Sequence, residues 1–128
     1  MIIEINEGGM WYHGSHKIFD VLEIGSTITQ WKELAEAFSH KPPMLCYDDS
    51  GIILHNGKEI GYLYLIDEPI VIDIDIFQHP RTTMDSNAEF LTKRLLKVKM
   101  VEKIDELSKN RIKYVDEKLM KLMTQKSL

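Results

Sequence analysis

Glu59-Ile60-Gly61-Tyr62-Leu63-Tyr64-Leu65-Ile66 is the stretch that decides the fold class of this chain. Ile60, Tyr62, Tyr64 and Ile66 share one face of an extended segment, and Gly61, Leu63 and Leu65 share the other. Both faces are apolar, which predicts a central strand covered on both sides. Immediately upstream, Asn56-Gly57 is the strongest two-residue hairpin signal, so Ile52-Ile53-Leu54-His55 is expected to pair with this strand. Asp48-Asp49-Ser50-Gly51 marks a further turn. Downstream, Ile70 to Phe77 alternates, with Ile72, Ile74 and Ile76 opposite Asp73 and Asp75, and predicts a strand with one side on water or a polar cleft. Leu96, Val98 and Met100 alternate with Lys97 and Lys99, again as a strand.

Towards the N-terminus, Met10-Trp11-Tyr12 reads as a short strand that Gly14 ends, and residues 18–28 look extended around a bend at Gly25. Trp31, Leu34, Ala35 and Phe38 recur at i, i+3, i+4 and i+7, the face of a short helix that Thr29 or Thr27 caps. Pro42-Pro43 stops it. Residues 78–87 form a polar loop. From about residue 103 the chain is rich in Lys, Glu, Leu and Met without Gly or Pro, which predicts a long C-terminal helix. Its apolar set includes Ile112, Val115, Leu119 and Leu122, expected to lie on this domain or on a second copy. The predicted division is a domain over 1–102 and a basic amphipathic helix over 103–128.

At 128 residues and 44% apolar content, the chain fits one globular domain with a modest core. No apolar run approaches the roughly 20 residues a membrane-spanning helix needs. Cys46 is the single cysteine, so no internal disulfide forms, and a cytoplasmic location is the default expectation. Residues 1–92 carry five basic groups against fifteen acidic ones, a balance of −10, whereas residues 93–128 carry eleven against five, or +6. Such a split fits a solvated lysine-rich face, a nucleic-acid contact, or docking of tail on body between two copies.

No CxxC, GxxxxGK[ST], GxSxG or HExxH occurs. His13 and His16 on a strand and turn do not turn both rings to one ion, and no metal site is expected. Asp73 and Asp75 fit either a cation or acid–base pair or a plain solvent face. Trp11-Tyr12-His13-Gly14-Ser15 sets an imidazole and two backbone groups at a cleft edge, where glycine permits the close approach of a flat ligand. Taken alone, that triplet also fits an ordinary strand-end turn.

The order of motifs adds information. Tyr12-His13-Gly14-Ser15 is followed by Thr29 nine residues before Phe38, then Gly61-Tyr62-Leu63-Tyr64, then Asn87-Ala88-Glu89-Phe90 before a lysine-rich strand. Over roughly residues 10–101 this resembles the ADP-ribosyltransferase superfamily, on its poly-ADP-ribose-polymerase and rifampin-transferase side. The resemblance implies an α+β fold with a split, antiparallel-rich sheet. It also implies NAD as substrate: His13 on a ribose hydroxyl, Gly14 backbone groups on the nicotinamide carboxamide with Ser15 alongside, Phe38 stacked on the ring, and Glu89 as the catalytic carboxylate. Phe38 equally continues the apolar stripe of its helix. The function expected is mono-ADP-ribosyl transfer, of bacterial or phage type, to an unidentified macromolecular or small-molecule acceptor. The alternative is a non-catalytic module that keeps the fold and binds a protein or nucleic-acid partner through its basic helix. A homodimer through that helix would satisfy both the apolar stripe and the charge split.

Overall fold

The computed structural model describes residues 1–125. It is an α+β chain with mostly antiparallel sheets and two helices. The elements run β1 (Tyr12–Ser15), β2 (Val21–Leu22), β3 (Thr27–Ile28), α1 (Lys32–Phe38), β4 (Leu45–Tyr47), β5 (Ile53–His55), β6 (Gly61–Ile66), β7 (Ile76–Gln78), β8 (Phe90–Thr92), β9 (Leu96–Ile104), β10 (Ile112–Tyr114) and α2 (Glu117–Gln125). They form a four-stranded sheet in the order β1-β6-β9-β2 and two three-stranded sheets, β10-β5-β4 and β3-β8-β7. Among the described strands only β10 and β5 pair in parallel.

The expected central strand is β6, paired with β1 on one side and β9 on the other. Leu63 and Tyr64 are fully buried on its opposite faces, as two-sided burial requires. Trp11 and Phe90 meet edge to face at 5.1 Å in the first core cluster, with Leu22, Ile28, Ile66, Ile76 and Leu96. A second cluster holds Leu34 and Ala37 of α1 against Ile53, Ala88 and Ile112. The short helix forms where its spacing places it, but neither threonine caps it: the N-cap is Trp31 without a side-chain cap bond, and the Thr29 hydroxyl accepts the Trp31 amide at 3.0 Å ahead of the first turn. The Gly25 bend and the Asp48–Gly51 turn are also present, each with its glycine at positive φ.

Four expectations are corrected. The first strand is Tyr12–Ser15 rather than 10–12, because the ladder with β6 continues through Gly14. Asn56-Gly57 closes no hairpin: β5 pairs with β4 and β10, and the chain crosses to another sheet before β6. Gly57 instead lies under the His40 carbonyl, where a Cβ has no room. Residues 70–75 are not a strand. The Asp75 carboxylate accepts the Val71 amide at 2.7 Å and Asp73 takes φ 70°, so pairing starts only at Ile76.

The fourth correction concerns the C-terminal helix. β9 runs on to Ile104, β10 pairs with β5, and the helix begins only at Glu117, where the Asp116 carboxylate accepts the Leu119 amide at 2.8 Å. Ile104 and Ile112 are buried by strand pairing, not by a helical stripe. Leu119 and Leu122 are 48% and 49% exposed, whereas Met120 is buried. Of the tail expected as helix over 103–128, residues 126–128 lie outside the described residues. Among the described residues no helix is long and apolar enough to cross a membrane.

Candidate functional site

The edge of β1 carries the chemistry. The Trp11 carbonyl accepts the Ile66 amide at 2.9 Å on the β6 side. One residue on, Tyr12 turns the other way: its amide donates to the Thr29 carbonyl at 2.7 Å and its carbonyl accepts the Thr29 amide at 3.0 Å. Alternation along an antiparallel strand then directs the Gly14 N–H and C=O to the same outer edge as Tyr12. Continued register would set Thr27 opposite Gly14, but the His13 imidazole intervenes. Its Nδ1–H donates to the Thr27 carbonyl at 2.7 Å. The two strands part there: beyond the Tyr12–Thr29 bridge β1 and β3 form no ladder, and the Gly14 amide and carbonyl lie on the edge that β3 leaves.

That bond fixes the tautomer, leaving Nε2 of His13 as an acceptor. Burial holds the imidazole below its ordinary value, while the Thr27 carbonyl pulls the other way. The ring lies 5.8 Å from Phe19 and 6.4 Å from Tyr64, which stack on each other at 4.5 Å and 13°. The Tyr64 hydroxyl donates to the Lys17 carbonyl at 2.7 Å and accepts the Phe19 amide at 3.2 Å, so the loop after β1 is clamped. A cavity of about 240 Å³ opens beside His13, lined also by Lys17, Phe19, Val21, Glu23 and Ser26. Phe19, Lys17 and Glu23 are additions to the sequence reading. Period-two alternation is too weak between Ile18 and Glu23 to assign faces there.

Ser15 lies on the same strand, and its hydroxyl accepts the Lys17 amide at 3.1 Å. The room left by the absent Gly14 side chain is not ligand space: the Ala35 carbonyl and the Ser39 amide of the α1 end fill it. What glycine grants here is the approach of a helix, which corrects the expected reason for it.

Phe38 and Glu89 leave the strip on the other side. Phe38 is half-buried against the second core cluster. Glu89 immediately precedes β8, and its carboxylate accepts the Thr82 hydroxyl. It also acts on the phenol of Tyr47, which burial above all pushes up and which takes the Asp85 amide at 2.8 Å. Continuing the Ile28–Phe90 register sets Glu89 across from Thr29, whose other neighbour is Tyr12. Two strand spacings, roughly 10 Å, therefore separate the backbones of residues 12 and 89. Phe90 turns into the first cluster, and Glu89 turns away from it. The cavity beside His13 holds neither Phe38 nor Glu89, so the predicted residues form two groups joined by the β1 edge. Comparison with protein-family models, curated proteins and solved structures gives no match, so the chemistry of the site is argued from its own geometry.

Proposed function

We propose that the chain is an NAD-dependent mono-ADP-ribosyltransferase built on the split sheet of that superfamily. The observation that carries this reading is the donor–acceptor pair of Gly14, which the β1–β6 register directs to the outer edge of β1. An amide N–H and a carbonyl on one strand residue match the carbonyl and NH₂ of a primary carboxamide, the group nicotinamide presents. A dinucleotide hooked there meets the neutral His13, whose Nε2 accepts a ribose hydroxyl, with Ser15 alongside, on one side. On the other it meets Phe38 and Glu89.

In this mechanism the bond from the ribose carbon to nicotinamide breaks, and nicotinamide leaves neutral with the electron pair. Positive charge builds on the ribose, as in glycoside cleavage. Glu89 stabilises it, exchanging the Thr82 hydroxyl for the ribose 2′-hydroxyl. The acceptor nucleophile then bonds the ribose carbon and gives up its proton. Phe38 holds the ring plane.

A homodimer belongs to the same proposal. Leu119, Leu122 and Met123, each 40–49% exposed on α2, form the apolar face it would cover. The non-catalytic alternative rests on that same face. Calorimetry with NAD, followed by assay of nicotinamide release, tests the proposal. Binding with slow release supports it, and a chain that binds no NAD leaves the interaction module as the function.

A further inference from the structure

A second cluster of titratable side chains lies at the end of α1, one residue beyond the Ser39 that packs on Gly14. The imidazoles of His40 and His55 stack face to face, 5.2 Å apart and within 10° of parallel, and both residues are buried. Each ring donates to a backbone carbonyl of a different segment. His40 Nδ1–H reaches the Glu59 carbonyl at 2.6 Å, and His55 Nε2–H reaches the Leu107 carbonyl at 2.7 Å.

The second nitrogen of His55 is the critical one. Its Nδ1 accepts the Gly57 amide at 3.1 Å, so it carries no proton in this arrangement. A proton added at Nδ1 sets N–H against N–H. Gly57 has no freedom to withdraw, because it is packed on the backbone of His40. The added charge also faces a second imidazole rather than a carboxylate. The titratable groups against His55 are His40 from the end of α1 and Tyr114 from β10, whose ring stands at 5.9 Å and 69°. Among the described residues neither imidazole has an ion-pair partner.

The geometry points to His55 as an acid-sensitive latch: protonation turns the ring out of its pair of backbone bonds and releases the loop over residues 105–110, bound through the Leu107 carbonyl, from β5. That loop holds more than itself. Lys109 binds Glu36 of α1 at 2.7 Å and also Glu102 of β9, and the Glu36 side chain is only 6% exposed. Freeing the loop therefore loosens the ion pair that ties down α1, the helix that covers Gly14 and carries Phe38. β10 itself stays paired, since Ile53 N–H still donates to the Arg111 carbonyl at 2.8 Å. Burial lowers the His55 imidazole below its ordinary value, with the Leu107 carbonyl opposing and His40 adding to the depression, so release falls on the acid side.

Hydrogen exchange of the full chain at pH 7.5 and pH 5.0, corrected for intrinsic rates, reads the latch directly. Protection of the Gly57 amide, bonded to His55, and of the Lys109 amide in the loop is expected to fall by about tenfold or more at the lower pH, while that of residues 61–66 holds. In His55→Gln the exchange of the loop loses its pH dependence. In His40→Gln, with one charge partner gone, the transition moves to higher pH. Protection at the Gly57 and Lys109 amides that does not change, or changes equally in His55→Gln, overturns the latch. If His55→Gln does not fold, nitrogen NMR of the wild-type imidazoles decides. A proton on Nδ1 of His55 at pH 7.5 overturns it, and a neutral Nε2–H ring that titrates together with the loop amides sustains it. None of these readouts depends on NAD.

Discussion

The carbonyl oxygen of Ala35 stands on the position a Cβ of Gly14 would occupy. Helix backbone and strand backbone touch there with no side chain between them. Gly14→Ala therefore forces α1 away from β1, and the cost should be about 3 kcal/mol, typical of overpacking against parts that cannot give. Urea denaturation measures it. A variant as stable as the parent would mean that α1 shifts freely on the sheet.

Glu89→Gln keeps the shape of the site and removes its charge. NAD affinity should stay nearly unchanged and nicotinamide release should drop by about 10²-fold or more, because the charge matters chiefly in the transition state. Equal turnover of variant and parent would remove Glu89 from the mechanism. The same assay on His13→Asn should raise the Kd for NAD more than it lowers the chemical step.

Lys109→Met leaves the Glu36 carboxylate, 6% exposed, without its cation. Because the lysine end is partly solvated, the loss should be about 2 kcal/mol rather than the larger penalty of a wholly buried pair. The double variant Glu36→Gln with Lys109→Met should recover part of that. A double-mutant cycle with no coupling would show the pair to be ornamental.

Stability should fall in mild acid. His13 and His55 are both held below the ordinary 6.5 by burial, so the unfolded chain binds their protons first. The stabilisation is complete above pH 6.5 and is lost as pH drops through that value towards the lowered native ones. Denaturant midpoints at pH 7.5, 6.0 and 5.0 should descend in that order. A flat profile would place both rings in water.

Leu119→Glu introduces charge into the exposed apolar face of α2. Light scattering should report a dimer for the parent chain and a monomer for this variant. A monomeric parent would leave the face without a partner copy.

How much of this was legible in the sequence follows from how local each cause is. β6 was readable because apolar residues on both faces admit only a covered strand, and α1 because its four apolar positions mark one helical face. Asn56-Gly57 misled because a turn signal reports local preference, whereas Gly57 is fixed by the remote backbone of His40. The stretch after residue 103 misled because helix formers there are overruled by strand partners far away in sequence, Gly61 for Ile104 and Ile53 for Ile112. His13, Gly14 and Ser15 do sit on one strand. That β3 leaves β1 after Thr29, and that Glu89 faces away from His13, depend on strand pairing that no short motif encodes.

The α1 end rests on three glycines: Gly14 of β1, Gly57 after β5 and Gly61 of β6, against Ala35, His40 and Ser39 respectively. A seven-residue helix has too few turns to persist by itself, and this one is held by backbone contacts reaching two different sheets. Neither sheet can open at that end without stripping the helix from the other. The strands should therefore lose their protection at one common free energy, as a single cooperative unit, although no sheet exceeds four strands and the elements are short.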